Sequence, residues 1–267
     1  MTTESQQSDA RRRALELIRQ YGWNNTSFQT LEPHFEYWFD PDGPGVVAYY
    51  RACFFGTLER FAAELGDAAA NIKIGEQPWW DPQRWDQLAE RRRTVGSQLR
   101  RAKRLGVSVR QIAATAMLQH DSPARRSAQS VIDAWLAAHR MATMSFVVHI
   151  DPFSFAEQRR YFLAEQRDSS GGLAPVGFLA LVPVYARDGW FLEDLVRTPQ
   201  APNGTAEALI DAAMLAVALE GSCYATLGLS PLKSTGSSCH AQPRWAAMIF
   251  SLSRRMLDPP SRCERLA

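Results

Sequence analysis

Asp194 and Arg197 close the apolar run Phe191-Leu-Glu-Asp-Leu-Val-Arg197. A carboxylate can hold an ammonium group, and a guanidinium can donate to an oxygen that becomes negative when a carbonyl is attacked. From spacing alone, the commoner use of such a pair is a structural ion pair at a strand end. Asn203 and Gly204 stand before a helical stretch, where free backbone N–H groups suit an anion and a plain helix cap is the structural alternative. From Arg91 to Arg110 no acidic residue interrupts a basic run that includes Arg100, Arg101, Lys103 and Arg104. Such a run suits phosphate groups, and it also suits a solvated helix face.

Other reactive types point nowhere in particular. Trp79, Trp80 and Trp85 lie beside prolines and read as core plugs. His120, His149 and His240 have no partner in the sequence, and Ser230 lacks the Gly-x-Ser-x-Gly elbow of a hydrolase nucleophile. Cys53, Cys223, Cys239 and Cys263 form no Cys-x-x-Cys pair and no metal-ligand spacing. They read as reduced thiols of a cytoplasmic protein that needs no metal.

The elements that must position these residues follow from hydrophobic period and turn chemistry. Ala10–Tyr21 is expected to be an amphipathic helix stopped by Gly22, with short strands at Ser27–Leu31, Phe35–Phe39 and Val46–Tyr50. Helices are expected at Leu58–Leu65, from Gln83 to Leu105 behind an Asp81 cap, and from Asp121 to Arg140. Asn71–Gly75 and Val107–Ile112 read as strands, and Gln166–Ala174 as a loop. Val176–Tyr185 and Trp190–Val196 flank Ala186-Arg-Asp-Gly189, which predicts a hairpin. A helix over Gly204–Glu220, a buried strand over Ser222–Leu229 and a last helix over Arg244–Leu257 complete the pattern.

The chain has 267 residues, 46% hydrophobic and 22% charged, enough for a packed core without disulfides. A net charge of +2 excludes any argument for nucleic acid from overall charge. No window approaches the roughly 18 apolar residues of a membrane span, so any membrane contact is expected to be peripheral.

Three segments resemble the C-terminal catalytic domain of phosphatidylglycerol lysyltransferases. They are Ile72-Lys-Ile-Gly-Glu-Gln-Pro-Trp-Trp-Asp-Pro82 with Ser97–Val107, then Phe191–Arg197 with Ala201-Pro-Asn-Gly204, and then Thr226-Leu-Gly-Leu-Ser-Pro-Leu232. The resemblance implies an α/β, GNAT-like mixed sheet flanked by helices, in tandem halves of which the first is shortened. Residues 1–112 would be that shortened half with the basic helix, and residues 113–267 the catalytic half. It also implies an aminoacyltransferase that takes its group from aminoacyl-tRNA as co-substrate, without a cofactor. The acceptor would be an amine or hydroxyl on a phosphatidylglycerol-like lipid or a small molecule. Asp194 and Arg197 match the family's Asp-x-x-Arg motif, which gives them the ammonium-holding and oxyanion roles. Asn203 and Gly204 would bind substrate, and Arg100, Arg101, Lys103 and Arg104 the tRNA. Two other functions compete: an acyl-CoA N-acyltransferase, and a degenerate binding protein favoured by the shortened first half and the absence of a further C-terminal segment.

Overall fold

The computed structural model describes residues 4–22, 26–32, 35–50, 53–56, 75–87, 93–138, 151–167, 171–228 and 230–231. The helices expected at Leu58–Leu65 and Arg244–Leu257 lie outside them, as does most of Asn71–Gly75. The chain forms two compact units, Met1–Leu58 with Trp79–Gly228, and Glu59–Pro78 with Leu229–Ala267.

The first unit begins with α1 (Glu4–Tyr21) and a single helical turn, α2 (Thr26–Gln29). Ala14, Leu15 and Ile18 form the buried stripe of α1, and the helix closes with the Gly22 N–H donating to the Ile18 carbonyl at 2.7 Å. A side chain at Gly22 would meet that oxygen, so glycine is required there. The strand expected over Ser27–Leu31 is instead helical. Phe28 and Leu31, spaced as i and i+3, both bury against the α1 stripe, and this contact outweighs the β preference of Phe and Thr. Strands β1 (Glu36–Phe39), β2 (Val46–Tyr50) and β3 (Cys53–Gly56) follow as an antiparallel meander.

In the second unit, β4 (Gly75–Glu76) pairs antiparallel with a short strand at Ser230–Pro231. Back in the first unit, β5 (Trp79–Trp80) leads to a 3-10 turn over Pro82–Arg84, capped as expected by Asp81, whose Oδ1 accepts from the Gln83 N–H at 3.0 Å. Then come α3 (Arg93–Arg104), β6 (Val107–Ile112), α4 (Ala114–Leu118) and α5 (Pro123–Ala138). Gly106, at φ +78°, ends the last turn of α3. Ser122 caps α5 through its Oγ, 3.0 Å from the Arg125 N–H.

The remaining strands are β7 (Arg160–Arg167), β8 (Leu173–Val184) and β9 (Gly189–Arg197), followed by α6 (Thr205–Leu219) and β10 (Tyr224–Thr226). They build a six-stranded sheet of order β5-β10-β9-β8-β7-β6, in which β10 runs parallel to β9 and every other pairing is antiparallel. The hairpin forms as expected, but only Asp188 takes a positive φ in its turn. Gly189 is needed for another reason: a Cβ there would come within 2.6 Å of the Tyr224 carbonyl oxygen of the parallel neighbour.

Both faces of the sheet are covered. Leu209, Ala213, Met214 and Val217 of α6 pack on Phe162, Leu179, Leu181 and Leu192. On the opposite face Ala128, Val131 and Ile132 of α5 pack on Tyr161, Leu163, Phe178 and Val196. Further along that face, α1 and the α2 turn cover Val182, Val184, Phe191 and Tyr224. The mixed sheet flanked by helices is the GNAT-like architecture expected from the sequence, and its strands come from both sides of residue 112.

Candidate active site

Two irregularities in β9 make the site. First, β10 pairs only with Gly189, Trp190 and Phe191, so beyond Leu192 that edge of β9 has no ladder partner among the described residues. The parallel ladder ends there. Second, β9 carries a bulge: Ala180 opposes Asp194 and Leu181 opposes Leu192, which leaves Glu193 as the extra residue. A bulge breaks the alternation of side chains. Here it turns two consecutive carboxylates, Glu193 and Asp194, onto the face that α5 and α1 share.

Tyr161, Leu163, Phe178 and Val196 bury much of that face, so carboxylates placed on it need compensation. It comes from Arg159, only 4% exposed, whose Nη1 lies 2.5 Å from Glu193 Oε2. Its Nε donates to the Ser154 carbonyl at 2.9 Å, its Nη2 reaches Ser154 Oγ at 3.4 Å, and its guanidinium lies over the Phe28 ring at 5.2 Å. No hydrogen bond from another described residue reaches the Asp194 carboxylate. Burial pushes that carboxyl well above the usual range, Glu193 adds to the shift, and Arg159 opposes it. Glu32, just after α2, is pushed up to about 7 by burial and by Glu193, with Arg159 opposing and Asp151 adding. Among the described residues, no three His, Cys, Asp or Glu side chains are grouped to hold a metal ion.

Glu32 gives a measurable pH signature. Its ordinary carboxyl value is 4.5, and a group that binds protons more tightly when folded opposes folding increasingly as pH rises from 4.5 to about 7. Glu32 is partly exposed, so solvent screening trims the penalty to about 2 kcal/mol above that range. Glu32→Gln is therefore expected to melt higher than the parent at about pH 8, with the gap shrinking toward about pH 4.5. A gap that stays constant across this range rules the assignment out.

The residues singled out in the sequence are placed unequally. Asp194 lies at the centre of the cluster. Arg197 does not join it, because the odd spacing along the regular part of β9 sends the two side chains to opposite faces. Arg197 is exposed on the α6 face, and its Nη1 donates to the Ala201 carbonyl at 3.3 Å. Asn203 is exposed. Gly204, at φ +98°, packs on α3, where a Cβ would stand 2.3 Å from the Gln98 carbonyl oxygen. Arg100, Arg101, Lys103 and Arg104 are all exposed, and α3 buries Ala102 against α6. Trp80 and Trp85 pack on the core, as expected of plugs, and the Trp85 Nε1 donates to Asp211 Oδ1 at 2.9 Å. Trp79 does not: it is 57% exposed and stacks on Tyr224. His120 is exposed, and His149 and His240 lie outside the described residues.

The sequence reading missed Glu193, Arg159, Glu32 and Asp151. They meet only through tertiary contacts, and the one local hint was a Glu next to Asp194 in an otherwise apolar strand.

The family model for the C-terminal domain of phosphatidylglycerol lysyltransferase matches residues 46–258. The chain belongs to this family. Two solved structures agree with the lysyltransferase fold. One is the C-terminal domain, DUF2156, of a protein described as a lysylphosphatidylglycerol synthetase from Agrobacterium fabrum, with a TM-score of 0.68 at 14% identity, covering 93% of this chain and 84% of that one. The other is L-PGS from Bacillus licheniformis, with a TM-score of 0.66 at 15% identity, covering 90% and 82%. At these identities the likeness establishes the fold. No curated protein matches the chain. The lysyltransferase family is one of transferase domains, and no helix among the described residues of this member is long and apolar enough to cross a membrane.

Proposed function

We propose that this member is an aminoacyltransferase that moves an aminoacyl group from aminoacyl-tRNA to an amine or hydroxyl of a phosphatidylglycerol-like lipid or a small molecule. The observation that supports it most is Asp194: a carboxylate with no hydrogen-bond donor among the described residues, on β9 beyond the end of its ladder with β10. The α-ammonium of an aminoacyl ester would supply the missing cation and return the carboxyl to its ionised form. The acceptor oxygen or nitrogen then attacks the ester carbonyl, the tetrahedral intermediate collapses, and the ribose hydroxyl of the tRNA leaves with the acceptor's proton. The ester is already activated, so this chemistry requires no cofactor.

The position of Arg197 supports a different role from the oxyanion contact that the family resemblance implied. Arg197 lies on the face opposite Asp194, and its Nη1 donates to the Ala201 carbonyl. We assign Arg197 to the basic surface of α3, which lies on its face of the sheet, and we keep the division at 112/113 as part of this proposal, with α3 in the first half and β9 in the second. Asn203 remains a substrate contact at the rim of that surface. The competing acyl-CoA reading would place a pyrophosphate at the start of α6, where the Gln98 carbonyl oxygen packed on Gly204 is a poor neighbour for an anion.

Offering the purified protein a mixture of charged tRNAs tests the reading directly. One aminoacyl ester should disappear faster than by spontaneous hydrolysis when cell lysate supplies the acceptor, and equal loss of all esters defeats it. The basic surface has its own test. tRNA binding should weaken by roughly a factor of ten or more between 50 and 200 mM salt. Replacing Arg100, Arg101 and Lys103 by Ala, or Arg197 by Ala, should lower affinity for all tRNAs alike and flatten the salt slope. Loss confined to one tRNA contradicts a phosphate-only role.

A further inference from the structure

The bulge creates a problem that Arg159 solves. Two adjacent carboxylates on one buried face, Glu193 and Asp194, are equivalent candidates for a cation and repel one another. The groups around them are acidic as well: Glu32 after α2 and Asp151 ahead of β7, with Glu157 beside Tyr161. Tyr161 of β7 and Arg11 of α1 also lie there among the described residues; the Tyr161 hydroxyl is committed to the Pro152 carbonyl at 2.6 Å, and the Arg11 Nε to the Leu31 carbonyl at 2.7 Å. Arg159 is the charged group that closes on one carboxylate alone. It is fixed by Ser154 on one side and the Phe28 ring on another, and it engages Glu193.

We propose that Arg159 is the positioning residue of this site: by holding Glu193 in an ion pair it makes one carboxylate structural and leaves Asp194 as the one open to a substrate cation. The proposal rests on the reading that Asp194 receives the donor's ammonium. Arg159 touches no substrate itself. It acts through Glu193 and through its field at Asp194. Glu193 raises the ionisation midpoint of Asp194 and Arg159 lowers it, so the pair must move that midpoint in a direction set by which charge is removed.

The ionisation of Asp194 can be followed without any activity, from the carboxyl carbon shift of protein labelled with 13C-aspartate, assigned by its absence in Asp194→Asn. Glu193→Gln removes a repelling charge and leaves Arg159 in place, so the Asp194 midpoint should fall by about one pH unit or more. Arg159→Gln removes the attracting charge and frees Glu193, so the midpoint should rise by about as much. The double variant removes one charge of each sign and should return toward the parent value. An unmoved midpoint in folded Glu193→Gln overturns the proposal, and so does a double variant that shifts further than either single one. If Arg159→Gln does not fold, Glu193→Gln and the double variant still decide. If the midpoints move as expected but donor KM does not follow them, the positioning role stands and the aminoacyl reading of the site falls.

Discussion

Asp194→Asn is expected to reduce aminoacyl transfer by about 10²-fold while leaving the protein at least as stable as the parent. The loss follows from removing one partner of a desolvated charge pair, which costs about 3 kcal/mol, or roughly two orders of magnitude in the binding term. It should appear mainly in KM for the charged tRNA, because the amide keeps the shape of the side chain and loses only its charge. The stability follows from the same burial. A carboxyl raised above its ordinary value is unfavourable to the fold when ionised, so its removal relieves the folded state above that value. Loss of activity with an unchanged or higher melting temperature at about pH 8 marks a group kept for function at a cost in stability. A lower melting temperature together with wild-type kcat/KM would make Asp194 a structural residue. The parent's pH profile offers a further check, since donor binding must weaken as pH falls through the Asp194 midpoint.

The scaffold of this site was largely readable from the sequence, because each of its elements carries a local signature. Val107–Ile112 begins behind a helix-stopping Gly106 and is rich in β-branched residues, and the strand has the limits expected. The β8–β9 hairpin and α6 were fixed by their turn and by the apolar run after Gly204. β7 escaped notice. Tyr161, Phe162, Leu163 and Ala164 are buried on both faces, so the strand shows no alternation, and Arg and Gln flank it where Gly or Pro would have marked its ends. The site was half readable for a related reason. Strict alternation from Leu192 puts Asp194 on the α6 face, and only the bulge at Glu193, which has no sequence marker, returns it to the other. Arg159 reaches Glu193 from across the sheet, and Glu32 arrives from the N-terminal segment. Neither approach leaves a trace in local spacing.

Gly204→Ala is expected to destabilise the protein by about 3–5 kcal/mol, the largest stability effect among these substitutions, and to impair tRNA binding along with it. Two costs coincide. At φ +98° an alanine is strained by about 1–2 kcal/mol, and its Cβ would stand 2.3 Å from the Gln98 carbonyl oxygen and 3.1 Å from the Ala102 Cβ. The first of these neighbours is backbone of α3, so no rotamer change relieves the contact. Either α3 moves away from α6 or the turn before α6 rebuilds, and both displace the helix that carries Arg100, Arg101, Lys103 and Arg104. This separates the two meanings of Gly204. As a substrate contact alone, the alanine variant would bind donor poorly yet melt like the parent. As the residue that lets α3 and α6 approach, it must lose stability first, and affinity for every tRNA should fall with it. A thermal melt beside a tRNA titration distinguishes the two, and a variant that melts within a few degrees of the parent overturns the packing role.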